Sequence, residues 1–321
     1  MQTPTVGELD RRIIGCLQVD GRASWRRIAA ALGEPERTVA RHGTRLLADR
    51  TVVVTGLSIH GEASLLRAAC MQAATRVAAA SLARRDGVTF TYMLTGSADC
   101  VAEIMCPAGR LGELLLDEIP GIPGLTQFTS LPILRYFRTV HEWQPGLVTP
   151  AEAEAVRGYP AITPVPSDQR IASLSREERQ ILRALATDGR RTHDEIARLV
   201  GLSEPTVRRR VDYLRREGHV HFRAVVDPAA LGLPVEAILW IKAAPTRVPQ
   251  LGDALLLSPN VRYAAAVMGE HQVVADVTVA DRAALYAFVT EAPWVRHAEN
   301  VETSLVVRAL KRSGILDHRA D

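Results

Sequence analysis

Cysteine is scarce in this sequence, and its placement argues against two common kinds of site. The chain has four cysteines in 321 residues, namely Cys16, Cys70, Cys100 and Cys106. None belongs to a C-x-x-C pair and no histidine cluster accompanies them, so neither a zinc site nor a disulfide framework is expected. We predict four small thiols, mostly buried, in a reducing compartment, and neither a metal nor a cofactor.

Long apolar runs are also missing. No uncharged stretch approaches the ~20 residues that a membrane-spanning helix needs, and the N-terminal MQTPTVGELDRR contains no apolar core of a secretion signal. The sequence therefore predicts a cytoplasmic protein without a membrane partner. The patterns G-x-S-x-G, G-x-G-x-x-G and H-E-x-x-H and the P-loop are absent too, which argues against an enzyme.

Lysine occurs only twice, and arginine carries the remaining positive charge. The net charge is +3, but it is unevenly distributed. Residues 10–50 hold nine Arg and five acids, and residues 176–218 hold eleven Arg and eight acids, so the rest of the chain is net negative. A net excess of positive charge confined to two short windows is expected of a protein that contacts nucleic acid.

The two basic windows are copies of one another at an offset of 168 residues. Asp-Gly-Arg recurs at 20–22 and 188–190, and further pairs agree in register: Ile13 with Ile181, Leu17 with Leu185, Ile28 with Ile196, Gly33 with Gly201, Val39 with Val207, and Leu46 with Leu214. A weaker similarity follows each window, with Gly96 over Gly269. Such a repeat predicts two halves, joined by a linker at 149–172 that is rich in Pro and small residues.

Each window predicts three helices. In the second copy, Gly189 is expected to adopt the left-handed conformation after the first helix, and Gly201 after the second. Ser203 is expected to cap the third helix, with Pro205 tolerated in its first turn. Two helices joined by a tight turn containing Gly form a helix-turn-helix, whose last helix enters the major groove of double-stranded DNA.

The outer face of the third helix supplies the predicted DNA contacts. Arg208 and Arg209 are placed to read guanine, and Arg210 suits a phosphate. A solvated charged face is the alternative. The predicted DNA-binding set in the second copy is Ser203, Thr206, Arg208, Arg209, Arg210 and Arg216, and in the first copy Arg37, Thr38, Arg41, His42 and Arg45.

The first copy is the weaker of the two. Pro35 stands in place of the capping Ser203, so the cap is lost or shifts to Glu34. Gly43 occupies the core position of Val211 and removes a packing group. We therefore expect the first copy to bind DNA less strongly or to be less well ordered.

The pattern in EERQILRALATDGRRTHDEIARLVGLSEPTVRRRVDYLRREGHV resembles the leucine-responsive regulator family, Lrp/AsnC, and the first copy resembles it loosely. The segment VVDPAALGL (225–233) is similar to that family's hinge strand. The resemblance implies an α+β fold with two copies of a winged-type three-helix helix-turn-helix and a ferredoxin-like βαββαβ sensor domain. The implied domains are 6–52 and 173–222 for the helix-turn-helix modules, and 53–148 and 223–312 for the sensors.

Alternating segments allow this sensor fold independently. In the second half we predict strands at VEAILWIK, VRYAAAVMG, HQVVADVTV and AENVETSLVV, and helices at RVPQLGDALLL and DRAALYAFVTE. In the first half we predict strands at CMQAA, VTFTYML, ADCVAEIMC and FTSLPILRYF, and helices at ATRVAAASLARR and GRLGELLLDEI.

The resemblance also implies homo-oligomers formed through the sensors, and a small effector such as an amino acid. The implied effector turns are Gly96, Ser97, Ala98 and Asp99 in the first half, and Gly269, Glu270, His271 and Gln272 in the second. Gln272 departs from the acidic residue expected there, which favours the first turn. Asp99 as a simple cap of its turn is an equal alternative.

Two other functions stay open. Haem-biosynthetic decarboxylases resemble this family, and His271 and His297 keep that reading available. A scaffold that has lost DNA binding is the second, because the first helix-turn-helix is degraded.

Overall fold

The computed structural model describes residues 6–57, 61–158 and 174–317. They group into two compact units. The first unit holds the described residues up to 57 and from 144 to 231, and the second holds 61–143 and 232–317. Each half of the sequence therefore contributes to both units. Within the described ranges, no helix is long and apolar enough to cross a membrane.

The first unit contains both three-helix modules. The first module comprises α1 (Glu8–Val19), α2 (Trp25–Leu32) and α3 (Glu36–Ala48), followed by strand β1 (Val52–Leu57). The connecting segment carries α6 (Pro150–Val156). The second module comprises α7 (Arg176–Thr187), α8 (His193–Val200) and α9 (Glu204–Arg216), followed by β6 (His221–Val226). β1 and β6 pair as an antiparallel ribbon.

The capping signals of the second module are largely confirmed. The side chain of Ser203 accepts the N–H of Thr206, and Gly201 ends α8 at φ 70°. The expectation for Gly189 was wrong, because α7 ends one residue earlier on extended Asp188, and Gly189 is not among the glycines with positive φ. Gly189 is required for another reason: a Cβ there would lie 2.9 Å from the backbone of Thr55 on β1.

The first module lacks the N-cap of its third helix but fills the core position opposite Gly43. Pro35 caps α3 without a side-chain hydrogen bond, so the cap is lost and does not shift to Glu34. The expected packing defect at Gly43 was wrong, because a Cβ there would lie 2.4 Å from the Trp25 ring. Trp25 thus occupies the space that Val211 fills in the second module. Arg50, in the position of Gly218, adopts φ 57°, which costs a non-glycine residue roughly 1–2 kcal/mol.

The second unit is a nine-stranded sheet with helices. From the first half come β2 (Glu62–Cys70), α4 (Thr75–Arg84), β3 (Val88–Leu94), β4 (Cys100–Cys106), α5 (Leu111–Glu113) continued by a π-turn (Leu114–Glu118), and β5 (Leu125–Arg138). From the second half come β7 (Val235–Lys242), α10 (Val248–Leu256), β8 (Val261–Val267), β9 (Val273–Val279), α11 (Arg282–Thr290), β10 (Asn300–Arg312) and β11 (Ile315–Leu316).

The strand order is β11-β10-β3-β4-β2-β5-β8-β9-β7, and β10 also pairs with β7. Each half thus supplies four strands in the ferredoxin-like order. The fourth strand of each half pairs with the second strand of the other, through β5 with β8 and β10 with β3. The sheet therefore closes on itself. The two pairs that join the halves, β5 with β8 and β10 with β3, are equivalent.

Most predicted sensor elements are confirmed, with two exceptions in the first half. The strand predicted at CMQAA was wrong, because β2 covers Glu62–Cys70 and Ala73 lies in a turn at φ 68°. The helix predicted at 109–119 is only a short α-turn that runs into a π-turn.

Apolar side chains of the second unit form three layers. One cluster packs the helices of the first half against their strands, and includes Ala79, Leu82 and Ile104. Another does the same for the second half, with Leu251 and Phe288. The third fills the interior of the closed sheet, and its members include Leu65, Phe90, Tyr92, Trp240, Tyr263 and Val274.

Candidate functional sites

The N-terminal half of α9 presents an arginine-rich outer face. Its sequence positions Val207, Val211 and Leu214 in the module core, so the opposite side is exposed. A cleft of about 440 Å³ lies along that side. Its lining consists of Glu204, Pro205, Arg208, Arg209, Asp212 and Arg216. The predicted face is therefore present as one continuous surface.

The arginines on this face differ in their contacts with the rest of the protein. Arg208 pairs with Glu204 at 2.6 Å, and the Nε of Arg216 donates to the carbonyl of Asp212. Arg209 has no ion-pair partner within the described ranges. It is the side chain most readily available to a base edge.

Three further predicted DNA contacts, Arg210, His42 and Arg45, also bond to other residues of the protein. Arg210 donates to Ser175 Oγ at 3.1 Å, at the start of α7. In the first module, Asp10 of α1 accepts from His42 Nδ1 at 2.7 Å and from Arg45 at 2.5 Å. These pairs tie the third helix of each module to its own first helix.

Arg37 and Arg41 remain exposed on the outer side of α3. Neither forms an ion pair with any residue that the structure describes. Thr38 is half-buried beside them. The outer side of α3 thus offers Arg37 and Arg41 without an ion pair to any described residue, whereas α9 of the second module offers a longer cationic face.

The repeated Asp-Gly-Arg motif joins the two modules, a role that the sequence pattern alone does not indicate. Arg22 donates to the carbonyls of Gly189 and Arg191 at 2.6 and 3.0 Å. Arg190 makes the reciprocal bonds to Gly21 and Ala23 at 2.7 and 3.2 Å. Burial lowers the pKa of Arg22 to about 10 and also lowers that of Arg190.

Both predicted effector turns are anchored in the same way. The Asp99 carboxylate accepts the N–H of Cys70 at 2.8 Å. Gln272 Oε1 accepts the N–H of Ala243 at 3.1 Å, at positions 173 residues further on in each case. The longer amide therefore takes the anchoring place of the carboxylate, so the substitution at 272 leaves the second turn intact.

Residues of both turns converge on Glu302 of β10. Ser97 of the first turn donates to Glu302, and Nε2 of His271 lies 3.9 Å from it. Arg67 of β2 binds the same carboxylate at 2.7 and 2.9 Å, and its guanidinium stacks over Trp240 at 4.7 Å. The other turn residues lie around this cluster: Gly96, Gly269 and Glu270 are exposed and Ala98 is buried.

The charges of this cluster are set by burial and by its own pairs. Burial opposes ionisation of Glu302, but hydrogen bonds from Ser97 and Arg67 leave its pKa below the usual value. Burial, reinforced by Arg67, lowers the pKa of His271. Near neutral pH the cluster therefore holds one guanidinium, one carboxylate and a neutral imidazole. Arg67 and Glu302 carry no sequence motif, and only their strand pairing brings them to the turns.

Within the described ranges, two of the cysteines, Cys70 and Cys100, lie within hydrogen-bond reach of each other. Cys16, Cys100 and Cys106 are buried and Cys70 is half-buried, and all four are free thiols. His297 contacts Arg296 at 3.1 Å, away from any cluster. In the part of the chain that the structure describes, no three His, Cys, Asp or Glu side chains are placed to hold a metal ion.

Known proteins match both units. The family model of the AsnC-type helix-turn-helix domain matches residues 8–46 and 178–215, and that of the Lrp/AsnC ligand binding domain matches residues 236–316. The crystal structure of the siroheme decarboxylase NirDL is similar in fold, with a TM-score of 0.62 over 97% of this chain and 94% of that one, at 13% identity.

Two relatives in sequence are each about half as long as this chain. An uncharacterised HTH-type transcriptional regulator of Pyrococcus abyssi is 37% identical over 38% of this chain and 78% of the relative. Another, of Pyrococcus horikoshii, is 33% identical over 46% of this chain and 94% of the relative. The chain therefore belongs to the Lrp/AsnC family of HTH-type transcriptional regulators, in a tandem form with two helix-turn-helix segments and two sensor folds.

Proposed function

We propose that this regulator binds double-stranded DNA sequence-specifically, with α9 making the principal base contacts. The carrying observation is the exposed arginine face of α9, with Arg209 unpaired within the described ranges. A bidentate arginine–guanine contact contributes about 1–3 kcal/mol of discrimination. Phosphate contacts from the same face add affinity that falls with salt.

The two modules offer different faces to DNA. Asp10 holds His42 and Arg45, whereas Arg37 and Arg41 of α3 form no ion pair with a described residue. The N-cap of α3 is also missing. We therefore infer an operator with two unlike half-sites, of which α9 reads the stronger one.

Fluorescence anisotropy with DNA from upstream of the protein's own gene tests this proposal. Arg209→Ala is expected to weaken specific binding by about 1–3 kcal/mol, and Arg41→Ala by less. Arg282→Ala, an exposed substitution at the start of α11, is the matched control. No binding even at low salt, where phosphate contacts are strongest, would reject DNA binding; equal losses would reject the unlike half-sites.

We further propose that the Arg67–Glu302 cluster binds an amino-acid effector. A zwitterion matches it, with the ligand carboxylate toward Arg67 and the ammonium toward Glu302. The indole of Trp240 lies buried beneath the Arg67 guanidinium and supports it from below. Arg67, Glu302 and His271 would then recognise the effector, while Asp99 and Gln272 hold the turns.

Calorimetric titration of the twenty amino acids tests the effector site. We expect one or a few to bind, and Glu302→Gln to abolish that binding because the ammonium loses its counter-charge. Glu291→Gln, an exposed acid at the end of α11, should leave it unchanged. Undiminished binding in Glu302→Gln would contradict the assignment.

Homo-oligomers through the sensor strands are part of the same proposal. Leu134 of β5 and Val307 of β10 are 66% and 65% exposed at positions 173 residues apart, and large exposed apolar side chains often mark contacts. Leu134→Glu with Val307→Glu should lower the mass measured by sedimentation. An unchanged mass would exclude this surface.

A decarboxylase-like activity is the competing function, because the chain is similar in fold to the siroheme decarboxylase NirDL. The absorbance spectrum of the purified protein distinguishes the two. A Soret band that persists through purification would favour a haem-type ligand over the amino-acid effector.

A further inference from the structure

A cleft of about 360 Å³ lies between α1 and the segment that connects the two halves of the chain. Gly15 and Gln18 of α1 form one side, and residues 144–157 supply the rest. The two sides are in close contact at one end, because a Cβ on Gly15 would lie 2.9 Å from the side chains of Leu147 and Val148. The volume lies within the range of about 300–1,000 Å³ typical of small-ligand sites.

Gln18 lines this cleft, and its buried side-chain amide has no hydrogen-bond partner within the described ranges. Gln18 is 4% exposed, and neither its Oε1 nor its Nε2 has a hydrogen-bond partner among the residues that the structure describes. Buried side-chain amides are almost always hydrogen-bonded. A group that fills the cleft and bonds this amide would remove the deficit.

The fold itself does not demand this buried amide. The equivalent position in the second module, 168 residues further on, is Ala186, which is exposed. On the first module, α6 packs beside α1, and Arg12 of α1 pairs with Glu152 of α6 at 2.5 Å. Gln18 thus lies where the connecting segment packs beside α1, a contact that the described part of the second module does not show at Ala186.

We propose that this cleft binds a small neutral molecule with an amide or lactam edge, such as a nucleobase or an aromatic carboxamide. The planar amide of Gln18 offers a donor and an acceptor side by side, and an amide or lactam edge supplies the complementary pair. Leu147, Val148 and Ala153 give the cleft apolar walls for a flat body. Arg157 at the rim pairs with Glu154 at 3.2 Å, so no charged group is required of the ligand.

Spectroscopy of the intact protein tests the proposal with adenine, uracil and nicotinamide as probes and phenol as a probe without an amide. The readout is the side-chain NH₂ signals of Gln18 in ¹⁵N–¹H correlation spectra. At least one amide probe is expected to shift these signals saturably at millimolar concentration, and phenol is not. Gln18→Met, which keeps the length of the side chain, should weaken binding about tenfold or more.

Gln180→Met on α7 is the matched control, because it makes the same change on the first helix of the other module. It should bind the probe as the unmodified protein does. Three results would overturn the proposal: no amide probe shifts the Gln18 signals, phenol shifts them equally, or binding survives in Gln18→Met. The spectra of the unmodified protein decide the question even if that variant fails to fold. The outcome is independent of DNA binding and of the Glu302 cluster.

Discussion

At the scale of single residues, Asp99 and Gln272 have one structural role despite different chemistry. Each accepts a backbone N–H at the end of the first strand of its sensor, from Cys70, the last residue of β2, in one half and from Ala243, directly after β7, in the other. From sequence alone, an amide in place of an acid suggests a lost ligand contact. The structure shows that both side chains anchor their turns.

This role predicts matched losses of stability. Asp99→Ala and Gln272→Ala should each lower the free energy of unfolding by about 1 kcal/mol, because a backbone donor loses its partner. Glu270→Ala, exposed in the second turn, is the control and should change it by less than about 0.5 kcal/mol. Urea denaturation measures the three differences. A loss at Asp99 alone would show that the turns are not equivalent.

Gly189 supplies a second test at this scale. A Cβ there would lie 2.9 Å from the backbone of Thr55, so Gly189→Ala should destabilise the first unit by about 1–3 kcal/mol. Gly112→Ala has open space around its Cβ and should be neutral or stabilising. Thermal unfolding followed by circular dichroism compares them. A tolerated Gly189→Ala would mean that β1 and the loop after α7 move apart easily.

At the scale of elements, the third helices of the two modules differ most at their N-termini. Ser203 caps α9 with its side chain, whereas Pro35 leaves α3 uncapped. Ser203→Ala should therefore cost about 1 kcal/mol. Pro35→Ser should stabilise α3 by part of that amount and strengthen DNA binding by the first module. Denaturation and anisotropy on paired variants measure both, and a destabilising Pro35→Ser would contradict the comparison.

The hydrophobic periodicity of the sequence predicts most helices and strands. It does not predict contacts that depend on the pairing of distant segments. The strand at VEAILWIK appears as Val235–Lys242, because alternation and β-branched residues favour it locally. CMQAA failed because the preceding run, EASLLRAAC, is the strand and ends at Cys70. The Arg face of α9 followed from helical spacing. The Glu302–Arg67 cluster could not be predicted in this way, because the two residues meet only through the pairing of distant strands in one closed sheet.

At the scale of the whole molecule, the interior of the closed sheet holds a network of buried charges. Glu236 accepts from Arg312 at 2.5 and 2.6 Å and from Arg262. Asp276 lies 3.4 Å from Arg262 and shares its surroundings with Tyr92. Burial, then the neighbouring Glu236, raise the pKa of Asp276 to about 7.

The raised pKa of Asp276 determines how the free energy of unfolding depends on pH. Between its usual value of 3.8 and about 7, Asp276 keeps its proton when folded and loses it when unfolded. Its contribution to stability is therefore full below that window and declines as pH rises through it. Asp276→Asn stays neutral, so its free energy of unfolding should fall less between pH 5 and 7. Equal slopes in urea titrations would reject this assignment.

The tandem organisation places complementary surfaces in one chain. In the first unit β1 pairs with β6, and Arg22 and Arg190 exchange hydrogen bonds between the modules. In the second unit β5 pairs with β8, and β10 with β3. Each half alone would expose these strand edges, and exposed edges promote association.

Separate expression of residues 1–158 and 174–321 tests this dependence. Each fragment alone is expected to form a homodimer or to aggregate, because its strand edges and apolar faces have lost their partners. Co-expressed, they should elute together as a one-to-one complex, with the second fragment retained by a tag on the first. At dilutions that dissociate higher oligomers, the unfolding midpoint of the intact chain should not depend on protein concentration. The midpoint of the two-fragment complex should rise with concentration, because its halves can dissociate. Fragments that are separately monomeric, folded and unable to co-purify would show that the halves are self-sufficient.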